Sequence, residues 1–144
     1  MKKFKIVYLV FILTAIFTQE QQGLALDNKT DKTNVKSSGK IAVASVGKTE
    51  TSAISDQAGR APYILIFNCN GIFIKAIKNP AQNKKGQASA IVTSLLKKES
   101  VTTFIAANFG AKMENNLKAA RIAYYQHSGS AKEAVKTIIK NKKI

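Results

Sequence analysis

The chain has 144 residues, 23 of them Lys or Arg and 8 Asp or Glu, for a formal net charge of +15. Such a charge favours anionic partners over long range at low salt and says nothing of fold. A single Cys and a single His exclude an internal disulfide, a thiolate cluster and a zinc site of the usual Cys and His spacing.

The first segment reads as a targeting signal. Lys2, Lys3 and Lys5 make a positive start, Ile6 to Phe17 is apolar apart from Thr14, and Gly23-Leu24-Ala25 is a small-x-small cleavage site. The apolar run is shorter than the roughly 20 residues that cross a bilayer. Residues 1–25 are therefore expected to be a signal peptide, with the mature protein periplasmic or secreted. Left uncleaved, the signal would anchor the chain, its one route to a membrane. No Cys lies beside the cleavage site, which excludes lipid attachment there. Residues 26–39 read as a flexible polar linker. From Asp27 to Gly39 the one aliphatic residue is Val35, too little apolar surface to offset the cost of ordering. The folded domain is 40–144.

Ile41-Ala42-Val43-Ala44-Ser45 is short and apolar, β-branched at alternate positions, and reads as a buried strand. A polar loop follows, around Ala53-Ile54. Tyr63 to Asn68 and Ile72 to Lys78 are two apolar runs. Asn70-Gly71 between them predicts a hairpin with a two-residue type I′ turn, whose central positions both need positive φ. Cys69 reads as a buried thiol at the end of the second strand. Asn79-Pro80 closes the third strand, and 81–86 is a polar loop.

From Gln87 to Lys98, Ala88, Ile91, Val92, Leu95 and Leu96 recur at helical spacing. Thr102 to Asn108 is a fourth strand. Gly110 to Arg121 is a helix with Met113, Leu117 and Ala120 on one face, and Ile122 to Gln126 is a fifth strand. Ser130 opens the last helix, with Glu133 completing a capping box; Val135, Ile138 and Ile139 are its buried face. The order β-β-β-α-β-α-β-α predicts an α/β, three-layer fold. Its mixed five-stranded sheet runs in the order 3-2-1-4-5, with strand 2 antiparallel and three flanking helices.

Several segments resemble, in order and spacing, the dinitrogenase iron–molybdenum cofactor biosynthesis family. They are Ile41 to Ser45 with Gly47, the run Ser55-Asp56-Gln57-Ala58-Gly59-Arg60-Ala61-Pro62-Tyr63, Asn79-Pro80, Asn108-Phe109-Gly110, Leu117, and Ser128-Gly129 before the last helix. The resemblance spans about residues 40–140. It implies a ribonuclease H-like fold and a non-enzymatic carrier domain. The cargo it implies is iron–molybdenum cofactor or one of its precursors; taken with the strand ends described next, the expected ligand class widens to an iron–sulfur cofactor or molybdate.

A site follows from topology as well. Open α/β sheets bind ligands beyond the carboxyl ends of their parallel strands. Those ends, for strands one, four and five, are Ser45 to Lys48, Asn108 to Gly110 and Gln126 to Ser128. Helices begin near Gly110 and Ser130, and exposed helix starts offer unpaired N–H groups to an anion. The candidate cofactor-binding residues are Ser45, Lys48, Arg60, Asn108, Gly110, Lys112, His127 and Ser128. His127, the single His, is the candidate metal ligand; its other reading is a loop residue bonded to backbone or water. Arg60 has two roles open: binding an anion, or bracing its loop against Asp56.

Some chemistry is absent. Ribonuclease H-like nucleases need clustered carboxylates for two metal ions, and the first strand has no acid. Gly47-Lys48-Thr49 ends like a phosphate-binding loop, but position 42 is Ala where that motif needs Gly. No catalytic residue is assigned. Two functions remain. One is a carrier of an anionic metal cofactor or oxyanion. The other is an electrostatic module for anionic envelope polymers or other polyanions. The aromatic interleaving that stacks single-stranded nucleic acid is missing.

Overall fold

A computed structural model describes residues 39–142. The expected signal, and the linker apart from Gly39, lie outside the described residues. Eight elements follow in chain order: β1 (Lys40–Ser45), β2 (Tyr63–Phe67), β3 (Phe73–Lys78), α1 (Ala88–Lys98), β4 (Val101–Ala106), α2 (Ala111–Ala119), β5 (Ala123–Gln126) and α3 (Ala131–Lys142).

The strands form one five-stranded sheet in the order β3-β2-β1-β4-β5. β2 is antiparallel to both β1 and β3, while β1–β4 and β4–β5 are parallel. This is the α/β architecture that the sequence predicts. Both sheet faces are covered, so the central strands are apolar on each side. Ala42, Ala44, Ile64, Ile66, Phe104 and Ala106 pack beneath α1 and α2, through Val92, Leu96, Met113 and Leu117. Ile41, Val43, Leu65, Phe67 and Ile105 pack beneath α3, through Ala131, Ala134, Val135 and Ile138. Alternation in β1 explains the division: the small Ala side chains lie on the two-helix face, and Ile41 and Val43 face α3.

The hairpin differs from its prediction. Only Gly71 in that turn has positive φ, at 80°. Gly71 N–H donates to Asn68 O at 3.0 Å, and Asn68 Oδ1 accepts from Asn70 N–H at 3.0 Å and Ile72 N–H at 2.9 Å. The loop therefore has three residues, and Asn68 organises it. This is a tight turn followed by a left-handed Gly, the commonest alternative to the two-residue form. A Cβ on Gly71 would also lie 2.9 Å from Ile139 Cδ1, so the turn and its seat against α3 both need glycine. Cys69 sits in this loop, half-buried, and not at a strand end.

β4 stops two residues earlier than predicted. Ala107 N–H donates to Ser55 O at 3.1 Å, so the segment after β1 takes over where the strand would have continued.

Candidate functional site

That segment decides the geometry of the carboxyl rim. After β1, residues 46–62 run across the ends of the parallel strands. Ser55 N–H donates to Ala44 O at 2.9 Å, Ile54 N–H to Gly129 O at 2.8 Å and Ala58 N–H to Asn108 O at 3.3 Å. Ile54 also bridges Ser45, and Ala53 bridges Ser130. The three loop ends expected to share one hollow are thus divided. Gly129 and Ser130 are tied to Ala53 and Ile54, and Asn108 faces the Asp56–Arg60 stretch.

On the Asn108 side there is a cavity of about 420 Å³. Its wall includes Asp56 to Arg60, Asn108 to Gly110, Lys112 and Met113, and also Ala88 and Ser89 from the start of α1. Of the predicted site residues, Arg60, Asn108, Gly110 and Lys112 meet here. Ser45, Lys48, His127 and Ser128 do not line it.

Each exclusion has a physical reason. Ser45 is fully buried; its Oγ donates to Ala53 O at 3.1 Å and accepts from Gly47 N–H at 3.3 Å. Lys48 extends toward the α3 face, with Nζ 5.6 Å from the centroid of Tyr63. His127 N–H donates to Ala106 O at 3.0 Å. Its Nδ1 lies 2.6 Å from Ser128 O; a carbonyl only accepts, so Nδ1 carries the proton. Ser128 is exposed beside it. Among the described residues no group of three or more His, Cys, Asp or Glu is arranged to hold a metal ion, so His127 belongs to no such group.

Two helices begin at the cavity. α2 starts after Gly110, and α1 after Gln87; neither has a side-chain cap. No acceptor outside the helices takes the first N–H groups of either one among the described residues. Gln87 has φ 54° and follows Gly86 at φ 76°. A left-handed residue followed by a helical one turns successive N–H groups toward one concavity, which suits an anion. Both helix starts add partial positive charge. Arg60 is exposed and forms no ion pair among the described residues; Asp56 likewise forms none. The brace between them, one of the two roles open to Arg60, is not made, and the guanidinium stays available. Gly59 lies where α1 and α2 approach the loop: a Cβ there would stand 3.3 Å from Met113 Cε and 3.5 Å from Ala88 Cβ.

The α1 start was absent from the sequence-derived site, although the topology held the signal. β3 is antiparallel to β2, which is antiparallel to β1. β3 therefore runs parallel to β1 and leaves the sheet at the same rim, delivering α1 there.

The polar lining is the Arg60 guanidinium, the Lys112 ammonium, the Asp56 carboxylate, the Gln57 and Asn108 amides, the Ser89 hydroxyl and backbone N–H groups, with Met113, Phe109 and Ala88 as apolar wall. No thiolate or imidazole lines the cavity. With two cations to one carboxylate, such a site suits an anion held by its outer atoms, and its one carboxylate belongs to no metal-holding group of three or more His, Cys, Asp or Glu among the described residues.

The comparisons agree with this fold. A Thermotoga protein provisionally named NifB, solved by NMR, is 27% identical, with a TM-score of 0.62 over 72% of this chain and 90% of its own. The apo form of the orange protein from Desulfovibrio gigas is 20% identical, with a TM-score of 0.68 over 73% of this chain and 90% of its own; at that identity it speaks for the fold alone. No curated protein matches. The pattern of the dinitrogenase iron-molybdenum cofactor family matches residues 39–141, and the chain belongs to that family.

Proposed function

We propose that this domain binds and carries an anionic metal species, an iron–molybdenum or iron–sulfur cofactor, a precursor of one, or molybdate, and does no chemistry on it. One observation carries the reading: two uncapped helix starts open on a single cavity beside Arg60 and Lys112. The family supports the class of cargo. The cargo would be gripped by N–H groups and the two cations, without a protein atom bonded to metal. Release then needs no ligand exchange at the metal, which suits a carrier.

Anaerobic equilibrium dialysis of the full chain with molybdate, followed by elemental analysis of bound molybdenum, tests this. Saturable binding near one per chain is expected. Charge-assisted hydrogen bonds contribute about 1.5–3 kcal/mol each, so Arg60→Ala with Lys112→Ala should weaken binding by roughly 100-fold or more. Absence of saturable binding, or indifference to the double substitution, would overturn the reading.

Export is part of the proposal. It rests on the three early lysines, the short apolar run and the Gly23-Leu24-Ala25 site. N-terminal sequencing of protein recovered from its host decides it. A chain beginning near Leu26 is expected, and a cytoplasmic chain that keeps Met1 would contradict it.

A further inference from the structure

We infer that Asn79 is the positioning residue of this cavity: its side-chain amide clamps the peptide segment that carries Arg60. The functional meaning of the clamp rests on the cargo reading above, whereas the clamp itself does not.

Asn79 follows β3 and is 4% exposed. Its Nδ2 donates to Gly59 O at 3.1 Å and to Ala61 O at 2.8 Å, the carbonyls on either side of Arg60. Its Oδ1 accepts from Ala81 N–H at 2.9 Å. Its backbone N–H donates to Pro62 O at 3.0 Å. One residue thus holds the carbonyls of Gly59, Ala61 and Pro62 from 20 positions along the chain from Gly59.

The chemistry calls for this residue type. Two carbonyls must be met by two hydrogens on one atom, with an acceptor behind them for Ala81. A primary amide supplies that set; a carboxylate has no donor, and a hydroxyl has one. Gln would place the same group a methylene too far. Pro80 adds a restraint, because a residue before proline is biased to extended backbone.

Arg60 itself is held differently from its backbone. The peptide on each side is clamped, yet its side chain is exposed and forms no ion pair among the described residues. Ordering the backbone in advance leaves only side-chain rotamers to be fixed when an anion arrives, which lowers the entropic cost of binding. Without the clamp, Arg60 would keep its charge and lose its address. Lys112 stands on α2 and does not depend on Asn79.

The test uses the full chain with Asn79→Ala and, should that variant fail to fold, Asn79→Ser. The serine hydroxyl can still accept from Ala81 N–H in a short turn but cannot supply two donors to Gly59 and Ala61. The first readout needs no ligand. Amide hydrogen exchange at Arg60, whose N–H donates to Gln57 O, should quicken by roughly tenfold or more while exchange within α3 is unchanged. The second readout is molybdate affinity in a double-mutant cycle. Asn79→Ser should weaken binding by roughly tenfold. Adding Arg60→Ala should then cost less than about twofold, while adding Lys112→Ala keeps its full effect. A general loosening of the site would blunt both cations alike. Unchanged exchange at Arg60, or additive losses from Asn79→Ser and Arg60→Ala, would overturn the inference. If wild-type protein binds no molybdate, the cargo reading falls and the exchange experiment still decides the clamp.

Discussion

The two halves of the carboxyl rim are built from the same parts and end in opposite states. Each half joins a parallel strand end to a helix start through a short loop. On the α3 half every early N–H has an acceptor: Ala131 N–H donates to Ser52 O at 3.0 Å, Lys132 N–H to Glu50 O at 2.8 Å and Glu133 N–H to Ser130 Oγ at 3.3 Å. On the half formed by α1 and α2, the first N–H groups have neither side-chain caps nor backbone acceptors from outside the helices among the described residues. A helix start is therefore an anion site only where the chain leaves it unspent. Residues 46–62 do the partitioning. Their first stretch fills the needs of α3, and their last brings Gly59 and Arg60 to the other two helices.

If the closed half serves stability, its defects should unfold the protein and leave the cavity's ligand preference alone. Ile54 is 7% exposed and belongs to the core beneath α3. Ile54→Ala should lower unfolding free energy by about 2–4 kcal/mol, the usual cost of such a truncation in a packed core. Denaturant titration measures it. Molybdate affinity of the folded variant should stay within about twofold, since additivity holds for sites without shared partners. A large affinity loss at unchanged stability would reverse the roles assigned to the two halves.

The opposite manipulation converts the open half into a copy of the closed one. Gly110 has φ −81° and ψ 155°, an N-cap conformation open to other residues, and a Cβ there meets nothing within 4 Å. Gly110→Asp places a carboxylate over the start of α2. It should raise stability by a few tenths to about 1 kcal/mol through capping and the helix dipole. The same carboxylate should compete for the N–H groups and repel an anion, weakening molybdate by about 10- to 100-fold, equivalent to roughly 1.4–2.7 kcal/mol. Thermal melting and dialysis read the two effects separately. A gain in stability with no loss of affinity would mean that the α2 start is not part of the site.

The sheet order was legible because it follows from the alternation of apolar runs and one hairpin, and both are local signals. Arg60, Asn108, Gly110 and Lys112 could be grouped because strand ends and helix starts are also local. The division of the rim was not. Its agents are backbone carbonyls of Glu50 and Ser52, about 80 positions from the helix they cap, and a carbonyl has no letter of its own. Ser45 illustrates the limit: its position at the end of β1 was right, while its burial depends on Ala53 returning over it. The type I′ reading of Asn70-Gly71 failed for a related reason. Asn68, two residues earlier, offered the backbone a stronger set of bonds. The capping box at Ser130 is half made, because Glu133 Oε1 instead pairs with Lys136 Nζ at 3.2 Å.

The smallest expected effect is also the sharpest check on the comparison. His127 and Lys48 were candidates on the premise of one shared hollow. His127 has its Nδ1 committed to Ser128 O, and Lys48 lies toward Tyr63 on the α3 face. Neither lines the cavity, so each reaches an anion there only through screened charge, which fades over about 8–10 Å at ordinary salt. His127→Ala and Lys48→Ala should each change molybdate affinity by less than about twofold, within the range expected of remote surface groups, beside a roughly tenfold loss for Arg60→Ala. Should His127→Ala cost as much as Arg60→Ala, residues 46–62 would not separate the halves functionally. The rim would then act as one site, with the imidazole as part of it.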